Sequence, residues 1–144
     1  MTANAKTTIA GLGQFIYGWG FVQIALIGLA FFGNISTLIH GLSGLLITLA
    51  ALILVIVSIR AGAGTRIVGL SLLTFAIIAG QAAILHLPGL AAIIRGLHPI
   101  FGMSVMFLGR TIAGQARSMT VHSPAHPRAQ RSAATLVARE NPGQ

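Results

Sequence analysis

Between Lys6 and Arg60 this chain carries no charged side chain, and a second uncharged stretch runs from Ile67 to Ile94. About 20 apolar residues cross the hydrocarbon core of a bilayer as a helix. The two stretches therefore hold at least three spans, and the whole chain about four. The pattern predicts an all-α integral membrane fold, a four-helix transmembrane bundle over residues 10–114 with spans at about 10–32, 37–59, 67–86 and 96–114. Residues 1–9 read as a short polar lead, and 115–144 as a flexible basic tail.

The breaks between spans carry turn chemistry. Gly33-Asn34-Ile35-Ser36-Thr37 is a tight turn with Ser36 or Thr37 as the N-cap of span two. Residues 60–66 form a basic, glycine-rich loop, and Leu87-Pro88-Gly89 stops span three. Pro99 lacks the N–H that a helix interior uses and is tolerated in a first turn. Span four is therefore expected to start near Gly96, with 90–96 as a short surface segment. In span one, Gly11, Gly13, Gly18 and Gly20 suit close helix packing, and Tyr17 and Trp19 suit an interfacial anchor. From Gln115 onward arginine, serine, alanine, proline and histidine replace the apolar periodicity, as in a segment without its own fold.

Composition agrees with the pattern: 55% of residues are hydrophobic, 7% are charged, and the mean hydropathy is +0.89. The hydrophobic run after Lys6 is too long for the apolar core of a cleaved signal peptide. A net charge of +8 would point to nucleic acid in a soluble domain, but here it reports topology. Lys6, Arg60, Arg66, Arg110, Arg117, Arg128, Arg131 and Arg139 fall on one side of a four-span chain, with Arg95 alone on the other. The positive-inside rule then makes both termini cytoplasmic, in a multi-pass protein of a bacterial inner membrane.

The same composition excludes much chemistry. Glu140 is the single acidic residue and there is no cysteine. Paired-carboxylate catalysis, a Ser-His-Asp triad, thiolate metal sites and covalent c-type haem attachment are all ruled out. No lysine lies in a span, so a retinal Schiff base there is excluded, and no catalytic residue is assigned.

What remains is a pair of histidines in apolar surroundings. His40 is followed four residues later by Gly44, and His98 by Gly102. Residues i and i+4 share a helix face, so each imidazole has a bare patch of backbone one turn away, where a flat macrocycle could lie close. Spans two and four run in the same direction and sit diagonally across an up-down bundle, which brings the two motifs to one depth. His40 and His98 are therefore candidate axial ligands to the iron of one haem b. Interfacial histidines bonded to carbonyls or headgroups are the alternative. Arg95, three residues before His98, would meet the haem propionates or else outer-leaflet phosphates. His86 follows the small Ala82 by four residues, a spacing that resembles helices holding bacteriochlorophyll. Gln23 and Gln81 are polar exceptions that could bond a quinone carbonyl or a ligating histidine, although helix-to-helix hydrogen bonds account for them more simply. Beyond the short His–Gly echo, no long internal repeat is read.

His40-Gly41 at the start of span two and Leu97-His98-Pro99 at the start of span four resemble the pattern of a family of small bacterial four-helix membrane proteins, over roughly residues 10–112. More loosely, the chain is similar to b-type cytochromes, whose haems sit between histidines on facing helices. With one histidine per candidate helix, that resemblance implies at most one such haem. Two functions follow as expectations. One is a single-haem membrane subunit passing electrons within a larger oxidoreductase, with quinone as a possible partner. The other is a non-catalytic accessory subunit that binds pigment or lipid, such as bacteriochlorophyll or carotenoid, and packs against a photosynthetic or respiratory assembly.

Overall fold

The computed structural model describes residues 1–85 and 92–119, the side chains of Leu85 and of residues 92–95 excepted. These residues form four helices: α1 (Ala3–Phe31), α2 (Thr37–Arg60), α3 (Gly64–Leu85) and α4 (Ala92–Ser118). The first three are long and apolar enough to cross a membrane. In α4 the apolar run is interrupted by Arg95, His98, Pro99 and Arg110.

Local sequence sets the ends. Thr2 caps α1, its hydroxyl accepting from the Ala5 N–H at 3.2 Å, and Ser36 caps α2 through the Leu38 N–H at 3.2 Å. At the far end of α1, Gly33 (φ 76°) takes the left-handed conformation. The Gly33 N–H then donates to Ala30 and the Asn34 N–H to Leu29. That is the two-bond pattern of a glycine-terminated helix. Gly62 (φ 59°) ends α2 the same way, with donors Gly62 and Ala63 reaching Ile59 and Ser58.

Several boundaries differ from expectation. α1 begins at Ala3, so the polar lead is already helical. The basic loop shrinks to Ala61–Ala63, because its two glycines let the chain reverse in three residues. α4 starts at Ala92 rather than near Gly96, so Pro99 lies beyond the first turn, inside the helix. Proline removes one backbone hydrogen bond there, and the helix continues through it. The polar tail begins after Ser118, since Gln115, Ala116 and Arg117 remain helical. The rest of the tail lies outside the described residues.

The helices pack in the order α1–α2–α3–α4 and close back onto α1, leaving α2 and α4 diagonal. One pole collects the start of α1, the α2–α3 turn and the end of α4, where the Lys6 ammonium donates to the Met119 carbonyl at 2.7 Å. Lys6, Arg60, Arg66 and Arg117 make this pole basic. The opposite pole holds the α1–α2 turn, His40 and His98.

The buried seam follows one rule on every helix: positions spaced by four, three and four. It takes Ile9, Gly13, Ile16 and Gly20 from α1, and Ile47, Ala51, Leu54 and Ser58 from α2. From α3 it takes Ile67, Ser71, Thr74 and Ile78, and from α4 Val105, Gly109, Ile112 and Ala116. This is the 3.5-residue repeat of left-handed coiled packing. The hydroxyls in the seam are satisfied: Ser71 donates to Ile67 and Thr74 to Leu70, each at 2.8 Å, while Ser58 and Ser71 meet at 3.3 Å. The tightest approach is between α1 and α4. A Cβ on Gly13 would stand 2.6 Å from the Gly109 carbonyl, and one on Gly20 would collide with Met106. Of the four glycines expected to pack helices, Gly13 and Gly20 do so. Gly11 and Gly18 face open space, because only the former pair lies in the four-three-four register.

That register exposes a duplication. Each α1 seam residue stands 58 positions before its α3 counterpart, and each α2 seam residue 58 positions before its α4 counterpart. The same offset relates Thr7, Ile9, Gly11 and Leu12 to Thr65, Ile67, Gly69 and Leu70, and His40 and Gly44 to His98 and Gly102. The echo is thus one part of a repeated helical hairpin, which corrects the expectation that no long repeat exists. Of the eight seam pairs only Ile9 and Ile67 are identical, and pairs such as Gly20 and Ile78 differ in size, which hides the repeat from simple inspection.

Candidate functional site: a histidine pair across the bundle

Extending the seam by three and then four residues toward the histidine pole gives two further layers. The first contains Gln23, Gly44, Gln81 and Gly102, and the second contains Ile27, His40, Leu85 and His98. The described atoms agree with this register. A Cβ on Gly44 would lie 3.4 Å from the Gln23 side-chain nitrogen, and one on Gly102 would meet nothing within 4 Å. In this layer the two glycines bring no side chain, and the Gln23 carboxamide lies beside Gly44.

His40 and His98 reach toward each other across the diagonal. Their ring centroids are 6.0 Å apart and the ring planes are inclined by 75°. Both rings are half-buried. Three side-chain polar atoms are buried without a hydrogen-bond partner among the described residues: Nδ1 of His40, Nδ1 of His98 and Oε1 of Gln23. Leaving such an atom unpaired costs about 1–3 kcal/mol, so these three atoms are the polar groups at this pole that the described residues leave to be met. Two imidazoles that share one metal ion, with nitrogen–metal bonds of about 2.0–2.1 Å, have ring centroids roughly 6 Å apart. The pair has that separation, which is also that of an edge-to-face contact between two rings. No group of three or more potential metal-binding side chains occurs among the described residues.

Trp19 forms the floor on the α1–α2 side. Its indole N–H donates to the Ser43 hydroxyl at 2.8 Å, and its ring stacks on Phe15 at 5.2 Å. α1 starts early enough that Trp19 falls mid-helix, and its one donor is satisfied by a neighbouring helix rather than by a headgroup. Tyr17 is also mid-helix, under the Arg110 guanidinium at 5.3 Å, an arrangement that suits a cation beside an aromatic face. Met106 fills the core against Gly20, and Met103 is exposed. His86 and the side chain of Arg95 lie outside the described residues.

Ser43 and Trp19 were missed as site neighbours at the sequence level. The signal for Ser43 was its place beside Gly44 on the His40 face. Gln23 was noted, but only the register puts it level with the glycines.

No protein-family model, curated protein or solved structure matches this chain.

Proposed function

We propose that this protein is a small b-type cytochrome of the membrane, a single-haem subunit that passes electrons within a larger membrane oxidoreductase. His40 and His98 are the axial ligands, and Gly44 and Gly102 clear the faces of the macrocycle. The observation that carries the reading is the convergence of the two imidazoles at 6.0 Å from diagonal helices, each with a buried, unpartnered Nδ1. Bound there, haem supplies a one-electron couple that this chain, with its single carboxylate and no thiol, does not otherwise possess. The chain's own part is to hold both imidazoles, exclude water with an apolar surround and keep the two nitrogens on one line. An absorption spectrum of protein purified after expression with ample haem tests the reading. A sharp alpha band on reduction supports it. Near-infrared bands or a colourless protein would instead favour the pigment-binding or scaffold subunit.

Four spans belong to the same reading. α4 lies against α1 from Met119 beside Lys6 to Met106 beside Gly20, so it runs through whatever slab α1 crosses. Its Arg110 guanidinium lies over the Tyr17 ring at 5.3 Å. The outward surface is apolar, with Phe21, Ile24, Leu45, Leu49, Leu72, Leu73 and Phe107 exposed, as lipid contact requires. The basic pole is cytoplasmic by the positive-inside rule. The chain has no native cysteine to mask. In intact cells a membrane-impermeant thiol reagent is expected to label Asn34→Cys and to miss Thr65→Cys. The reverse pattern would invert the orientation.

Gly102 gives a steric test. Its Cβ position is open, and Gly41 is equally open but exposed. Gly102→Leu is expected to lose most of the bound haem, because the new side chain fills the cleared face, while Gly41→Leu keeps it. Equal retention in both would remove Gly102 from the site.

A further inference from the structure

The duplication and the seam register together assign a role to two side chains that the histidine pair leaves unexplained. Gln23 and Gln81 are related by the same 58-position offset as His40 and His98, and they share a layer with Gly44 and Gly102. Their helices, α1 and α3, form the other diagonal of the bundle. We propose that Gln23 and Gln81 are ligand-contacting residues of this site, closing it on the two sides that the histidines leave open. Each hairpin then contributes one imidazole and one carboxamide about a pseudo-twofold axis, and the ligand lies on that axis.

The reasoning is one of satisfaction and space. A carboxamide in an apolar bundle ordinarily bonds a neighbouring helix. Gln23 makes no such bond among the described residues: its Oε1 is buried without a partner, and its Nε2 would lie 3.4 Å from a Cβ on Gly44. Trp19 and Ser43, the polar groups one turn away, are already bonded to each other. An amide in that position is poised toward the layer of the two glycines rather than used to fasten helices. With imidazoles on the α2–α4 diagonal, a planar macrocycle shows its faces to Gly44 and Gly102. Its edges then turn toward α1 and α3, where the carboxamides stand.

The inference rests on the haem reading, and the test separates the two. Gln23→Leu, Gln81→Leu and the double variant are made in the full chain. Two quantities are measured: thermal stability of the haem-free protein in detergent, and the rate at which loaded protein loses haem to a scavenger. A ligand contact predicts faster haem loss in both single variants, by about 10-fold each, with a displaced alpha band. The haem-free proteins should melt no lower than the parent, since leucine relieves an unpaired amide. A helix-fastening role predicts the opposite split, a lowered melting temperature with unchanged haem loss, and that result overturns the proposal while leaving the histidines in place. A change in one variant alone would overturn the symmetric assignment. A parent that takes up no haem overturns both readings.

Discussion

Replacing either His40 or His98 by alanine is expected to abolish the low-spin optical and paramagnetic spectrum of the purified protein. The two rings stand on different helices with centroids 6.0 Å apart, so on the haem reading each substitution removes a bond the other cannot replace. Loss of a supporting group around a metal typically costs about 10–100-fold in affinity, and loss of a ligand should exceed that range. The effects should not add, because the first substitution already destroys the two-ligand state. Haem content and spectra of the single and double variants check this. A low-spin spectrum that survives either single change would remove that histidine from the iron.

The second large effect is expected far from the histidines, at the crossing of α1 and α4. A Cβ on Gly109 would come within 2.8 Å of the Gly13 carbonyl and 3.0 Å of an Ile16 methyl. The nearest of these is backbone and cannot swing aside. Gly109→Ala is therefore expected to destabilise the bundle by about 1–3 kcal/mol, the usual range for overpacking, and Gly109→Leu by more. Gly18→Ala is the counterpart. Nothing lies within 4 Å of its Cβ position, and alanine is the better helix former by roughly 0.5–1 kcal/mol. Thermal melting in detergent should thus move down for Gly109→Ala and stay level or rise for Gly18→Ala. Similar behaviour of the two would mean that α1 and α4 do not meet at Gly13 and Gly109.

Helix number and the α2 boundaries were legible because charge gaps and glycine turns are local signals. Ser36 as a cap and Gly33 as a terminator needed only a few neighbours each. Pro99 misled, because its first-turn preference is a statistical tendency and α4 already begins at Ala92. The partner of Trp19 was not legible either, because Ser43 stands on another helix, 24 positions away. The facing of His40 and His98 followed from direction and register, both readable in the chain. The role of Gln23 was not, since its distinguishing feature is a missing partner, which only coordinates reveal. The duplication stood in the sequence throughout. It became visible once the buried positions of the two hairpins could be aligned, because Gly13 against Ser71 or Ala51 against Gly109 look unrelated until their shared depth is known.

The seam has one more consequence. Full burial stops at Gly20, Ile47, Ile78 and Val105, and beyond those residues toward the histidines no described residue is fully enclosed. Local opening is cheapest where few apolar contacts must be broken. The bundle is therefore built like a pair of tongs: gripped hard at the basic end, where glycine backbones touch, and free to part at the tips. A rigid, flat guest that arrives after the chain has folded needs such an entrance, for it cannot thread through a closed core. Amide exchange should accordingly be fastest near the tips in the empty protein and slow sharply there once a guest is held, while the grip end changes little.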